Sequence, residues 1–500
     1  MLDHDRSSVG DDQAELRGPH YDLVVVGAGI AGLNALHAAS LYLFPTARIL
    51  LVDAKDRPGG MWTTAYEYVR LHQPHPLFTV GGTQWKWQKP PHYLAARNEV
   101  QQHLAACLGA LRDQFDVEER FNHFVSGVRE VHRSGVWGAE VDFHKVDEPH
   151  KIITVRADRV IHASGFDYTA PDPVAFSAKS VLSISPADMP ATLAAQQNAP
   201  VFIVGGGKTG MDTILAVLKA DPTRAVTLIN GDGTYYLNRT KYFPTGLRRW
   251  TSGALAAGIF RDCAMRFDGH NEEDMRAHFI ATYAVNSDPR SKNYIYGLLS
   301  EDESRQIETG LNDKLWDYLD DVVDGENGPV MRMRSGAEIP APEGSIFVTC
   351  TGSLFRSQQV ENRMPCLSPH DVILSINTHE SMHILTTYAS FILAHLFFTG
   401  KLREAGLFFL DLEALLQKDK QAFTAASMAQ SYHNLLMGLK NLPPSARKHF
   451  GMDFNLWYPL PRRLWALYRI RKTAREDIKH CRISLNAVVE RFDIRGGQLE

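Results

Sequence analysis

The sequence predicts an α/β fold with two Rossmann-like dinucleotide-binding units, each made of parallel strands and the helices that connect them. The first observation is a glycine-rich turn at residues 27–32, directly after the apolar run 23–26. The second is a similar turn at residues 205–210, directly after the apolar run 201–204. The distance between the two turns leaves room for two nucleotides, one in each unit, which points to a redox enzyme.

Composition agrees with a multidomain globular protein. Five hundred residues exceed one hydrophobic core, so two or more domains are expected. The net charge of −4 gives no reason to expect nucleic acid as a partner. No apolar run reaches the roughly 18 residues that cross a bilayer, and residues 1–19 lack the apolar stretch of a signal peptide. We therefore expect a disordered tail at 1–19 and a cytoplasmic protein.

The first unit has the features of a nucleotide-binding βαβ motif in the right order. Gly27, Gly29 and Gly32 would permit the tight turn, the approach of a pyrophosphate, and close packing of the helix on the strand. The next apolar strand ends at Asp53, about 20 residues past the last glycine, where a carboxylate can accept a hydrogen bond from a ribose 2′-hydroxyl. Because that carboxylate would repel a 2′-phosphate, this unit should hold FAD or NAD.

The segment after this acid favours FAD. Gly59 and Gly60 present bare backbone to a ligand, and Trp62 supplies a flat apolar wall. The order of these features, an acidic residue, a short spacer and then Gly-Gly-x-Trp, resembles that in the flavin-containing monooxygenases and their Baeyer–Villiger and N-hydroxylating relatives, the class B flavoprotein monooxygenases. In that family the segment lies beside the flavin. The resemblance implies that Gly60, Met61 and Trp62 contact FAD.

The second unit carries three glycines in the same roles, namely Gly205, Gly207 and Gly210. Its second strand ends at Asn230, with no carboxylate at that position. The resemblance implies NADPH here, with a basic residue gripping the 2′-phosphate, and Arg239 is the candidate, with Lys241 close by. A charge-assisted hydrogen bond of about 1.5–3 kcal/mol would favour NADPH over NADH by roughly 10- to 150-fold. The alternative is that both cations are solvated loop residues.

Two strands that end in small-small-Gly turns, at 160–165 and 347–352, indicate the domain borders. In the family such turns mark where the chain crosses between the FAD and NADPH domains, so the NADPH domain should be inserted in the FAD domain, with helical additions. We expect the borders to be 20–168 for the first FAD part, 169–345 for the NADPH domain with a helical insertion at about 240–330, 346–400 for the FAD return, and 401–500 for a C-terminal helical region. Within the insertion, Ser300 and Glu303 predict a helix start with a capping box.

Two segments bear on the chemistry. The family fingerprint Phe-x-Gly-x-x-x-His has its best counterpart at 176–182, where Ala178 and Leu182 replace the glycine and the histidine, so Baeyer–Villiger behaviour is in doubt. Many family members place an asparagine over the flavin, and here Gln73 could make a similar hydrogen bond while His72 serves as acid or base. The alternative is that both residues only shape a proline-rich loop.

The remaining patterns narrow the chemistry further. None of the five cysteines forms a Cys-x-x-Cys pair, which disfavours a dithiol disulfide reductase, and no metal-ligand spacing is found. Residues 457–475 interleave aromatic and basic residues. That pattern fits a covering helix with a solvated basic face, which we favour, or a helix lying on an anionic membrane surface.

The resemblance implies an FAD- and NADPH-dependent monooxygenase. NADPH would reduce the flavin, dioxygen would form a C4a-hydroperoxyflavin, and one oxygen would pass to a small organic substrate, with N- or S-oxygenation favoured. Two alternatives stay open. One is an NAD(P)H-dependent flavin reductase, dehydrogenase or oxidase of the same fold, and the other is a non-catalytic flavoprotein that senses redox state or scaffolds a partner.

Overall fold

The computed structural model describes residues 19–165, 172–285, 288–352, 355 and 363–499, so all but one residue of the expected tail lies outside the described residues. The first part of the chain forms β1 (His20–Val26), α1 (Ile30–Ala39), β2 (Arg48–Asp53), α2 (Arg97–Arg112), β3 (Asp116–Phe121), β4 (His123–Arg133), β5 (Val136–Lys145) and β6 (Ile153–His162). Strands β3, β2, β1 and β6 pair in parallel in that order. The antiparallel strands β5 and β4 extend the sheet beyond β6.

The second sheet begins with β7 (Leu182–Ile184), α3 (Met189–Ala195), β8 (Val201–Val204), α4 (Lys208–Ala220) and β9 (Val226–Ile229). Its central strands β8 and β9 are short and almost fully buried, as expected of a parallel sheet covered on both faces. The strand order is β12-β9-β8-β16-β7, in which two members come from further along the chain.

The insertion and the end of the second sheet follow. The elements are β10 (Leu237–Asn238), α5 (Arg239–Tyr242), α6 (Arg248–Thr251), α7 (Ala256–Arg266), α8 (Glu272–Tyr283), β11 (Leu298–Leu299), α9 (Glu301–Gly310), β12 (Asp313–Leu315), β13 (Leu319–Gly325), β14 (Gly328–Met333), β15 (Glu338–Pro340) and β16 (Ile346–Thr349). The capping box at the start of α9 is confirmed, because Ser300 and Glu303 exchange side-chain and backbone hydrogen bonds.

Two expected borders are wrong. The helical insertion ends at α9 rather than near 330, because β12 pairs with β9 and β13–β15 form an antiparallel sheet. Strand β16 belongs to the second sheet, between β8 and β7, so the return to the first sheet comes later than 346. Strand β12 is too short and polar to be recognised from its sequence, and the apolar run of β16 would suit a parallel strand of either sheet.

The last part of the chain completes the first sheet and adds helices. It forms β17 (Ile373–Ser375), α10 (Thr386–Phe398), β18 (Phe408–Leu410), α11 (Leu412–Lys418), α12 (Lys420–Asn441), α13 (Pro444–Arg447), α14 (Leu460–Phe492) and β19 (Gly496–Gln498). Strand β17 pairs in parallel with β6. The predicted fold class is therefore confirmed: two Rossmann-like units, the second inserted in the first, with helical additions.

Helix α10 lies against α1, and the Ser390 hydroxyl donates to the Ala31 carbonyl oxygen. Apart from its first two residues, α10 is buried along its whole length, which explains why its sequence is apolar on every face. Its beginning thereby comes close to the glycine turn that precedes α1. Within the described ranges, no helix is both long enough and apolar enough to cross a membrane.

Candidate functional site

The first glycine turn is shaped by contacts that exclude any larger residue. Gly27 has φ of +99°, and a Cβ on Gly32 would lie 1.7 Å from the Gly27 carbonyl oxygen. Gly60 folds back onto the same turn, because the Gly59 N–H donates to the Ala28 carbonyl oxygen at 3.0 Å. A Cβ on Gly60 would lie 2.9 Å from the Gly29 Cα. The two predicted FAD segments are thus brought together.

Asp53 is held at the edge of this turn. Its carboxylate accepts hydrogen bonds from the backbone N–H groups of Ala28 at 2.6 Å and of Lys55 at 2.7 Å. Burial raises the pKa of Asp53, and the two N–H donors oppose that rise. The carboxylate therefore also braces the glycine turn, a role that the sequence motif did not indicate.

The two side chains after Gly60 differ in environment. Trp62 is buried and meets the Phe78 ring edge-on at 5.8 Å, whereas the Met61 side chain is 48% exposed. Met61 is therefore accessible to a ligand, while Trp62 supports the segment from behind.

The second glycine turn repeats the geometry of the first. Gly205 has φ of +108°, and a Cβ on Gly210 would lie 2.2 Å from the Gly205 carbonyl oxygen. A Cβ on Gly207 would meet open space, as a site for phosphate requires. At the end of β9, the buried Asn230 Nδ2 has no hydrogen-bond acceptor among the described residues. This turn has both room and an unused donor for a nucleotide.

Arg239, the residue predicted to bind the 2′-phosphate, is held in an ion pair inside the protein. Its guanidinium pairs with the Glu303 carboxylate at an N···O distance of 2.5 Å, and its side chain is only 12% exposed. Both Arg239 and Lys208 act electrostatically on His72, so the Arg239 guanidinium lies in the neighbourhood of that imidazole. Because the guanidinium is already paired with a partly buried carboxylate, its pairing with Glu303 argues against a role at the 2′-phosphate, and that role stays a prediction.

Other residues occupy the end of β9. Asp232 accepts a hydrogen bond from the Tyr318 hydroxyl at 2.9 Å, and its carbonyl oxygen accepts from the Lys292 N–H at 3.1 Å. Lys314 lies on β12, next to β9, and its ammonium is 4.7 Å from the Trp316 ring. The exposed Lys292 is a basic residue that sequence reasoning missed, because it is more than 60 residues away from Asn230 along the chain.

A polar contact joins the two units. The Tyr66 hydroxyl donates to an Asp212 carboxylate oxygen at 2.9 Å, and the Lys208 ammonium pairs with the other oxygen. The Tyr68 hydroxyl lies 2.9 Å from the Thr213 hydroxyl oxygen. Since Tyr66 and Tyr68 follow the Gly-Gly-x-Trp segment and Asp212 belongs to α4, the two glycine turns are held facing a common space.

His72 and Gln73 both line a cavity of about 140 Å³. The other lining residues are mainly aromatic or aliphatic, namely Leu237, Tyr242, Ile259, Phe260, Phe279, Tyr294, Tyr296, Leu298, Leu385, Met428 and Phe454. The described structure contains no hydrogen bond to either polar side chain, which leaves both available to a ligand. Burial, together with the positive charges of Lys208 and Arg239, lowers the pKa of His72 well below its usual value, so this imidazole is neutral near pH 7.

Much of the cavity wall comes from residues that no motif marks. Leu385 is the residue before α10, and Met428 and Phe454 come from the C-terminal region. Their apolar side chains look like ordinary core residues in the sequence, and only the folded chain brings them beside Gln73.

All five cysteines are buried. Burial raises the pKa of Cys107 to about 11 and the pKa values of Cys350 and Cys481 to about 12. Thiolates are therefore scarce at neutral pH, which disfavours thiol–disulfide exchange by this chain. In the part of the chain that the structure covers, no three His, Cys, Asp or Glu residues are grouped as a metal site.

The first half of the chain matches a known protein family. Residues 21–254 match the family model described as pyridine nucleotide-disulphide oxidoreductase. Uncharacterized proteins of Mycobacterium tuberculosis and Mycobacterium bovis are 28% identical over 211 residues, which is 40% of this chain and 36% of theirs. The chain thus spans about a third of the length of the curated relatives it matches. The family match confirms the predicted oxidoreductase class for the matched residues.

Solved structures with a similar arrangement include three flavoprotein monooxygenases. The FAD-bound cadaverine monooxygenase of Erwinia amylovora is 14% identical and covers 88% of this chain and 96% of its own, with a TM-score of 0.48. The ornithine N-hydroxylase of Kutzneria sp. 744 is 13% identical, covers 71% and 92%, and has a TM-score of 0.45. A flavin-containing monooxygenase from Stenotrophomonas maltophilia is 17% identical, covers 74% and 88%, and has a TM-score of 0.41.

Proposed function

We propose that the chain is an FAD- and NADPH-dependent monooxygenase that oxygenates a compact, uncharged organic substrate, with sulfur as the preferred acceptor atom. The observation that carries the proposal is an aromatic cavity lined by Gln73 and His72, in a chain whose two nucleotide-binding units are joined by the Tyr66–Asp212 contact.

The residues of the first turn fit FAD. Gly29 and Gly60 leave no side chain between the backbone and a pyrophosphate, Asp53 stands where a ribose would lie, and Met61 is accessible. When bound, FAD supplies the electron transfer and the activation of dioxygen. The protein must hold the flavin, exclude water and position the substrate.

The residues of the second turn fit a nicotinamide dinucleotide. The space in front of Gly207 and the unused Asn230 donor would hold the pyrophosphate and the ribose. Lys292, rather than Arg239, is the cation we assign to the 2′-phosphate of NADPH.

The cavity favours a neutral substrate. An apolar cavity of about 150 Å³ in another protein admits benzene, so about 140 Å³ suits a single ring with a small substituent. A protonated amine would meet no carboxylate among the lining residues and would face the positive charges near His72. A thioether is neutral at every pH, which is why we favour S-oxygenation over N-oxygenation. The Gln73 amide would orient the oxygen donor, with the neutral His72 as a second hydrogen-bonding group.

A coupling experiment tests the proposal. The purified protein, loaded with FAD, would be supplied with NADPH, dioxygen and either methyl phenyl sulfide or cadaverine. We expect sulfoxide in near-equal amount to the NADPH consumed, and no acceleration by cadaverine. If NADPH consumption instead yields only hydrogen peroxide with every neutral sulfide and amine, the reductase or oxidase alternative is correct.

The Gly29→Val variant separates cofactor binding from turnover. A Cβ on residue 29 would already lie 3.3 Å from the Gly60 Cα. The larger valine side chain would therefore fill the space between the turn and Gly60, and the variant should retain no flavin. Full flavin occupancy in this variant would contradict the assignment of FAD to this turn. Replacing Gly109, whose Cβ would meet nothing within 4 Å, by valine controls for the substitution itself.

A further inference from the structure

The first half of helix α14 is exposed to an extent unusual for its sequence. Buried residues of this helix begin only at Asp477. Before that point five apolar side chains are between 40% and 65% exposed, namely Leu460, Leu464, Trp465, Leu467 and Tyr468. Their spacing places Leu460, Leu464 and Tyr468 along one outward stripe. The solvated basic face expected of this helix is thus accompanied by an exposed apolar face.

A neighbouring loop extends this apolar area. Leu247 is 83% exposed and Trp250 is 57% exposed. The loop is fixed to the start of α14, because the Arg249 Nε donates to the Trp457 carbonyl oxygen at 2.7 Å and an Arg462 N–H donates to the Arg249 carbonyl oxygen at 2.9 Å. We call Leu247, Trp250, Leu460, Leu464, Trp465 and Tyr468 together the docking patch. Isolated exposed apolar residues need no explanation, but a contiguous group that includes two tryptophans does.

Positive charge surrounds the docking patch. Arg469, Arg471, Lys472 and Arg475 continue the exposed face of α14, and Arg248 stands beside Trp250. The Arg469 guanidinium lies 4.7 Å from the Trp465 ring centre. Residues 454–475 contain no Asp or Glu at all.

We propose that the docking patch binds an anionic lipid surface, with Leu464, Trp465 and Tyr468 in the interfacial layer and the cations on the headgroups. Tryptophan and tyrosine are the side chains that favour the membrane–water interface, and each cation near an anionic surface adds to the attraction. A second copy of the chain is the less suitable occupant. A copy docking through the same face would offer these cations no carboxylate from 454–475, because that segment contains no Asp or Glu.

The position of the docking patch gives this binding a consequence that depends on the proposed function. Trp457 packs edge-on against Phe243 at 5.9 Å, and Tyr242 packs against Phe454 at 6.1 Å. Tyr242 and Phe454 line the cavity. A layer of aromatic rings thus connects the docking patch with the cavity wall, so a docked molecule would hold its cavity next to the lipid phase in which a neutral, apolar substrate concentrates.

Vesicle flotation with the full-length, FAD-loaded protein tests the binding without reference to turnover. We expect the protein to float with phosphatidylcholine vesicles that contain 30 mol% phosphatidylglycerol and to remain unbound with pure phosphatidylcholine. The variant Arg471→Gln/Lys472→Gln removes two cations and should weaken binding by roughly 30-fold. The variant Leu464→Gln/Trp465→Gln should weaken it by about tenfold or more. The variant Ile152→Gln changes another exposed apolar residue, on the first unit, and should leave binding unchanged.

Three results would overturn the inference. One is failure of the wild-type protein to float with anionic vesicles. A second is equal binding of the wild type and both double variants. The third is a dimer in light scattering that becomes a monomer in Leu464→Gln/Trp465→Gln, which would identify a second copy as the occupant. Vesicle binding without sulfoxide formation would leave the docking patch intact and count against the proposed function alone.

Discussion

Replacing Arg239 by alanine should destabilise the fold without discriminating between NADPH and NADH. Arg239 and Glu303 are 12% and 24% exposed at their side chains, and the pair is a close one. Breaking a fully buried pair costs about 3–5 kcal/mol, whereas an exposed pair contributes about 0–1 kcal/mol. At this intermediate exposure we expect Arg239→Ala to lower the apparent free energy of unfolding by about 1–3 kcal/mol at pH 7.

The pH dependence of this loss identifies its cause. Burial acts to raise the pKa of Glu303, but Arg239 and the Ser300 N–H overcome it and hold the pKa below its usual value. A carboxyl with a lowered folded-state pKa stabilises the protein above its unfolded pKa of about 4.3 and loses that contribution as the pH falls through the folded value. In Arg239→Ala, burial of Glu303 is no longer opposed by the guanidinium. The deficit relative to wild type should therefore be largest at neutral pH and shrink towards pH 4.

The assay is urea unfolding at several pH values, combined with a double-mutant cycle. Glu303→Gln keeps a side chain that can accept the Ser300 N–H, so it removes the charge and retains the cap of α9. Arg239→Ala should cost much less in the Glu303→Gln background than in the wild type. An unchanged unfolding free energy in Arg239→Ala, together with a Michaelis constant raised for NADPH alone, would refute this reasoning and return Arg239 to the 2′-phosphate.

Three further predictions follow from the described contacts. Lys292→Ala should raise the Michaelis constant for NADPH more than that for NADH in initial-rate assays, and equal effects on both would exclude Lys292 from the phosphate site. Gly32→Ala places a Cβ 1.7 Å from the Gly27 carbonyl oxygen and should abolish flavin retention, measured by absorbance after gel filtration, whereas Gly109→Ala should retain it. Burial lowers the pKa values of His37, His103 and His162 to about 4, so the unfolded chain binds more protons below pH 6.5 than the folded protein does. The free energy of unfolding should fall from pH 7 to pH 5 by about 1–2 kcal/mol for each such histidine, and a flat profile would contradict their burial in neutral form.

The sequence alone determined the parts of the protein whose physics is local. The glycine turns at 27–32 and 205–210, the acid at Asp53 and the Ser300–Glu303 cap each depend on residues that are near neighbours in the chain or separated by one βαβ unit. Their backbone geometry admits few residue types, so the residue pattern is informative. The Gly-Gly-x-Trp segment was recognisable for the same reason, because Gly60 must approach Gly29 without a side chain.

The tertiary structure decided everything that depends on long-range packing. It placed β12 and β16 in the second sheet, turned Arg239 towards Glu303, and assembled the cavity around Gln73 from segments more than 300 residues apart. It also left the apolar face of α14 without a cover. Apolar and charged side chains carry no mark of their eventual neighbours, because burial and ion pairing are fixed by which surfaces meet when the chain is folded.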